Sequence, residues 1–390
     1  MRTGYSYTSL IVLIAASIVS VVLGSIHAFS VFLEPLENLF FEPRSNVSFT
    51  YSLALLSLTI AVLLGPRIFG RWQAAPFILF VCILAACGAL FAAMAGSLVY
   101  VWLGYSLIFG TANGLGYGYG LQIAAQVYPG REGLAMGIVT ASYAFGAVLS
   151  PIFFQMAVDA GGFALAMKVL ASVLLGTGLL SAVLMQIAGA KFKTGKNRLM
   201  ERPLPAHSIQ LLWLGYFTGA LAGLMVIGHA AAIATSVKPG MDAWVAPIFI
   251  AACNLLGSLV AGRLADRISL GLLLGSLALL TSATLVVLVV LDQATVLLGA
   301  LGLVGFAYGG TIAVYPAAIV KLFGIQVSAS VYGRVFTAWG CAGLTGPWFA
   351  GFLFDWKGDY QLALLVGAVI ALISVACVTV LFQFGRVRNG

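Results

Sequence analysis

Apolar runs of about twenty residues follow one another along almost the whole chain, separated mostly by breaks of only a few residues. A helix needs about 20 apolar residues to cross the hydrocarbon core of a bilayer. Such runs in series leave lipid as the medium that solvates the chain. Composition decides the point, because only 8% of the 390 residues are charged and 62% are hydrophobic. A soluble domain carries about 25% charged residues. Eight per cent cannot cover a soluble particle of this size. The net charge of +8 does not signal nucleic acid, since the basic residues stand singly or in short groups between apolar spans. The 46 glycines fit the same medium, where helices approach one another through small residues.

Measured with that ruler, the chain divides into spans near residues 9–34, 47–69, 74–95, 97–127, 133–157 and 162–188, then 209–236, 243–265, 270–291, 294–321, 330–355 and 361–385. The expected fold is therefore an all-α membrane protein of twelve transmembrane helices in two pseudo-symmetric six-helix bundles. Lys191, Lys193, Lys196, Arg198, Arg202 and two prolines lie in the one extended polar connection, 191–208. This linker separates an N-terminal bundle, 1–190, from a C-terminal bundle, 209–390. The stretch after Arg2 is too long for a removable signal sequence, so the first helix is expected to be the anchor.

Lysine and arginine set the direction. With both termini cytoplasmic, fifteen of the nineteen fall inside: Arg2, Arg67, Arg71, Arg131, the five of the linker, Arg263, Arg267, Lys321, Arg334, Arg386 and Arg388. Arg44, Lys238 and Lys357 fall outside, and Lys168 falls within a span. The localisation expected is an inner or plasma membrane, with both ends in the cytoplasm.

The two halves repeat weakly. Residues 65–71 after span two correspond to 262–268 after span eight, and 128–137 correspond to 323–333. His27 in span one pairs with His229 in span seven. Repeated membrane halves are a property of secondary transporters, which place the solute site near mid-membrane. The segment 262–267 (GRLADR) resembles the loop signature of the major facilitator superfamily. Its Asp266 can accept from the free amides opening a facing helix, with Arg267 holding the carboxylate; a plain helix-ending loop is the alternative. In the first copy Phe69 stands where the acid would be.

Longer stretches resemble the oxalate/formate antiporter branch: 110–121 (GTANGLGYGYGL), 128–137, 223–234, 332–347 and 355–360. Residues 29–36 resemble the related monocarboxylate transporters. The resemblance implies a major facilitator fold and transport of small carboxylates by alternating access. Carboxylate-binding members of that family carry an arginine in span eight, four residues after an asparagine. Here Asn254 is followed at that spacing by Ser258. The lysine that the oxalate antiporter has in span eleven is matched by Trp339. Without that two-cation clamp, oxalate itself is not the expected substrate.

An ionisable group inside a span costs about 2.5–3.5 kcal/mol and is a functional candidate by default. Lys168 either faces the pathway or snorkels to the outer surface. Arg334, near the start of span eleven, either guides anions or gates with Glu132 or Asp266, or is simply solvated. His27 and His229 can hydrogen-bond a carboxylate and titrate near neutrality, or they are packing residues. Tyr119, Gln122, Asn254, Tyr308 and Trp339 complete the expected solute-binding set, with Tyr117, Tyr315 and Tyr332 as further polar aromatics. Asp266, Arg267, Arg334 and Glu132 form the expected gating set.

The five cysteines lie in apolar stretches without a CxxC, so neither a disulfide framework nor a metal site is expected. No phosphate-binding GKS or GKT follows a strand, so ATP is not the expected driving force. No cofactor is expected, and no enzyme, since paired intramembrane carboxylates are missing from the sequence. The expected partners are a small-molecule solute, a proton or counter-anion, and lipid, with a monomer as the assembly. The expected activity is secondary transport of a small organic anion, a monocarboxylate. The alternative is a facilitator or exporter of a neutral or largely apolar molecule on the same scaffold.

Overall fold

The computed structural model describes the chain except residues 1–6, 129–131, 193–205, 266, 291–293, 324 and 388–390. Among the described residues the secondary structure is helical, with no strand. The medium explains this, because a backbone amide in lipid has no water to pair with and a helix satisfies it within the segment. The elements are α1 (Tyr7–Leu23), a 3₁₀ segment (Gly24–Phe32), α2 (Leu33–Phe40), α3 (Arg44–Leu64), α4 (Pro66–Phe69), α5 (Ala74–Ala93) and α6 (Leu98–Val101). A π segment (Trp102–Phe109) leads into α7 (Gly110–Val127), followed by α8 (Glu132–Ile187). Then come α9 (Ala206–Ile227), α10 (Ala230–Val237), α11 (Val245–Ala265), α12 (Leu270–Val290), α13 (Ala294–Phe323), α14 (Ile325–Lys357) and α15 (Gln361–Val387).

Among the described residues ten stretches are long and apolar enough to cross a membrane. One of them, Ala135–Ile187, has 53 residues and at 1.5 Å per residue would run more than twice the thickness of a bilayer core. It is two helices folded at Gly161 and Gly162. Gly162 has φ +71° and ψ −171°, a conformation only glycine adopts without strain. Counting it as two and adding the 33-residue α14 brings the number of crossings to the twelve expected from the apolar runs.

Spans one, two, four and seven are not single continuous α-helices: span two is interrupted at Gly65, and span four passes through the π segment. Span one changes from α to 3₁₀ pitch at Gly24 and resumes as α2. Span seven stops at Ile227, turns through Gly228 and His229, and restarts at Ala230. Apolar length alone does not register such breaks, because they alter hydrogen-bond register and not hydrophobicity. The chain separates into two compact units, residues 1–41 with 53–196, and residues 42–52 with 197–390. The first turns of α3 thus belong with the second unit.

Candidate functional site

In the first unit the polar side chains gather at the break in span one. Asn113, on α7, is fully buried. Its Nδ2 donates to the Leu23 carbonyl at 2.6 Å, and its Oδ1 accepts from the Tyr143 hydroxyl at 2.9 Å. The Tyr143 ring meets the His27 imidazole edge-on at 5.6 Å and the Tyr117 ring at 4.8 Å. Thr140 spends its hydroxyl hydrogen on the Met136 carbonyl, so in its long 3.5 Å contact with Tyr117 the tyrosine donates. His27 is half-buried on the 3₁₀ segment. The break is seated tightly on α8. A methyl group on Gly24 would collide with the Tyr143 carbonyl, and one on Gly146 with the Val21 carbonyl.

In the second unit His229 is fully buried and both ring nitrogens are engaged. Nε2 lies 2.8 Å from the Pro347 carbonyl, and Nδ1 lies 2.9 Å from the Tyr360 hydroxyl. A carbonyl only accepts, so Nε2 carries the proton and Nδ1 accepts from Tyr360. Arg44 in turn donates to the Tyr360 oxygen at 3.1 Å and stacks over the Phe354 ring at 4.3 Å. Asp355 accepts from the Ser45 amide at 2.9 Å. The result is a directed run of hydrogen bonds from Arg44 through Tyr360 and His229 to Pro347. His229 is thus a bridge between the break in span seven and the proline of α14.

The same unit brings together Tyr308 and Trp339, two members of the expected solute-binding set. The Trp339 indole donates to the Tyr308 oxygen at 2.7 Å, and its ring stacks on Phe336 at 5.1 Å. Asn254 is half-buried on α11. Its Oδ1 lies 3.4 Å from the Ser258 hydroxyl, which donates to the Gly309 carbonyl at 3.0 Å. The Ser258 hydroxyl thus joins α11 to α13. Tyr315 stacks on Tyr216 at 4.2 Å.

Other expected residues stand apart from these groups. Tyr119 is fully buried in an aromatic cluster with Phe69, Phe77 and Phe192, at centroid distances of 5.3, 4.6 and 5.2 Å. Gln122 is half-buried one turn further along α7. Lys168 is exposed on the side of its helix that carries Leu175 and Leu179, two exposed leucines. Arg267 and Arg334 are exposed. Asp266 and the side chain of Glu132 lie outside the described residues. Among those described, no group of three or more His, Cys, Asp or Glu side chains is placed to hold a metal.

Asn113, Tyr143 and Tyr360 are the site neighbours that reasoning on charge alone passes over, while Arg44 is legible only as an outer-loop charge. Asn113 did leave a signal, since a primary amide in the middle of an apolar span is costly unless bonded. Tyr360 ends one of the stretches that carry the family resemblance.

A twelve-crossing helical protein with broken helices and polar clusters at the breaks has the form of a solute transporter. The model of the Major Facilitator Superfamily matches residues 5–333 and 212–389, and the chain belongs to that family. It is 26% identical over 348 residues to the uncharacterized MFS-type transporter YhjX of Escherichia coli, covering 87% of this chain and 86% of that one. It is 25% identical to mouse monocarboxylate transporter 11, covering 88% and 80%. It is 24% identical to the oxalate:formate antiporter of Oxalobacter formigenes, covering 77% and 73%. In fold it is similar to a bacterial homolog of the human lysosomal transporter Spinster, with TM-score 0.77 at 14% identity over 97% of this chain and 98% of that one. The chain is a multi-pass membrane transporter of small molecules and not an enzyme.

Proposed function

We propose that the chain is a secondary active transporter of a small organic anion, a monocarboxylate. It works by rocker-switch alternating access of the halves 1–190 and 209–390, joined by the linker 191–208. It resides in the cell membrane as a monomer with both termini cytoplasmic, and a proton or counter-anion accompanies the solute. The observation that carries this reading is the character of the buried polar side chains. Among the described residues they are serine and threonine hydroxyls, the Asn113 amide and the His229 imidazole, and none is charged. An oxalate dianion would need two cations to offset its desolvation, whereas a monoanion can be held by hydrogen bonds from uncharged groups, with the His27 imidazole the proposed donor. The relatives named as monocarboxylate transporter 11 and oxalate:formate antiporter support the substrate class.

The test is uptake of labelled formate, pyruvate, lactate and oxalate into proteoliposomes of the purified protein. Saturable uptake of a monocarboxylate with oxalate excluded is the expected result, and indifference to all three monocarboxylates overturns it. A second reading, export of a neutral or largely apolar solute, is favoured by the same lack of buried charge. It is also favoured by 26% identity over 282 residues to the aspyridones efflux protein apdF of Emericella nidulans, covering 70% of this chain and 56% of that one. Transport of neutral solutes in the same vesicles separates the two.

A further inference from the structure

We infer that Asn113 is a positioning residue for His27, setting the break in span one that presents the imidazole; for transport, this rests on the solute-binding role proposed for His27. In an uninterrupted α-helix the Leu23 carbonyl would pair with the amide of residue 27. The helix changes to 3₁₀ pitch one residue later, at Gly24, where the bonding register shortens to three residues. At that junction the carbonyl receives the Asn113 amide, at 2.6 Å. The other end of the same amide is fixed by the Tyr143 hydroxyl at 2.9 Å, and Tyr143 is the ring that His27 packs against. One buried side chain therefore ties together the carbonyl at the break and the neighbour of the imidazole. Gly24 adds a second, independent constraint, because its lack of a side chain lets the break lie directly against the Tyr143 backbone.

The experiment compares Asn113→Leu, Tyr143→Phe, His27→Ala and the Asn113→Leu/His27→Ala double variant. Asn113→Leu keeps the branched shape and removes both bonds, while Tyr143→Phe removes only the one to Oδ1. Hydrogen exchange of peptides covering residues 24–32 in detergent needs no solute. Asn113→Leu is expected to accelerate it about tenfold or more, leaving peptides of α12 and α15 unchanged. In vesicles Asn113→Leu is expected to raise the KM for the labelled monocarboxylate at least about tenfold. In the His27→Ala background the same change is expected to add nothing, because both substitutions act through one group. If Asn113→Leu does not survive purification, Tyr143→Phe reads the same network from its other end, with a smaller acceleration confined to 24–32. Unchanged exchange at 24–32 overturns the inference whatever the solute is. KM effects that add between Asn113→Leu and His27→Ala overturn the link to His27. Accelerated exchange without monocarboxylate uptake sustains the positioning of the break and places the failure in the substrate reading.

Discussion

The breaks in spans one and seven occupy corresponding places in the two repeats, yet they are held in opposite ways. At the first, the histidine stands half-buried on a 3₁₀ segment, and a separate residue, Asn113, takes up the carbonyl at the junction. At the second, the histidine is itself the clamp, fully buried with both nitrogens bonded to Tyr360 and Pro347. Two imidazoles that look equivalent along the chain therefore do different work. The cost of leaving a buried polar group unpaired is about 1–3 kcal/mol, so His229 is tied to its bonds. At the first break the junction carbonyl is held by Asn113 and not by the histidine.

This contrast breaks most visibly at the histidines. His229→Ala removes two buried hydrogen bonds and opens a cavity, and about 2–4 kcal/mol of stability should be lost. His27→Ala should cost less than 1 kcal/mol while weakening monocarboxylate uptake. Thermal unfolding of the two variants in detergent, beside their uptake, measures both. Equal destabilisation by the two would erase the distinction.

The glycines at the breaks sharpen it. A methyl at Gly24 meets the Tyr143 backbone, which cannot swing aside, and Gly24→Ala should destabilise by roughly 1–3 kcal/mol. A methyl at Gly228 meets the ring of Pro347 at 2.9 Å, a milder conflict. Gly228→Ala should therefore cost visibly less in the same unfolding assay. The reverse order would mean that span one yields where it now looks pinned.

Much of the fold could be read from the chain because lipid imposes one rule, that apolar length equals a crossing. Span nine, expected at 270–291, is the helix Leu270–Val290, and the turn between 157 and 162 falls at Gly161 and Gly162. The breaks inside spans one and seven were not legible, because Gly24 and Gly228 are two of 46 glycines and nothing in the composition marks them. The candidate site was legible in parts. Tyr308 and Trp339 were singled out separately, and their 2.7 Å bond is a fact of tertiary structure. Asn113 is inconspicuous in the sequence because it stands inside the glycine-rich run 110–121, although in lipid its amide needs partners just as a charge does. His229 was singled out for its type, and only its two bonds show what that type is used for.

A smaller effect concerns Tyr360, the link that the first unit lacks. Tyr360→Phe removes the donor to His229 Nδ1 and the acceptor for Arg44 while keeping the ring against Phe354. About 1–2 kcal/mol should be lost, less than for His229→Ala because the Nε2 bond to Pro347 persists. A loss as large as that of His229→Ala would place the strength of the clamp in Tyr360 and not in the imidazole.

The smallest expected effect is at Lys168, and it bears on the claim that the solute is held by uncharged groups. Lys168 is exposed, and two and three turns further along the same side lie Leu175 and Leu179, 42% and 59% exposed. A side carrying exposed leucines faces hydrocarbon, where a lysine extends its stem along the helix and brings the ammonium to the headgroups. Lys168→Ala should therefore change stability by no more than about 0.5 kcal/mol and leave the KM for a monocarboxylate within a factor of about two. The measurement is a concentration series of uptake in vesicles of fixed lipid composition. A rise in KM with turnover preserved would return a cation to the solute site. The comparison of the two breaks would then lose its consequence for substrate choice, since a single charge would outweigh the uncharged groups gathered around His27.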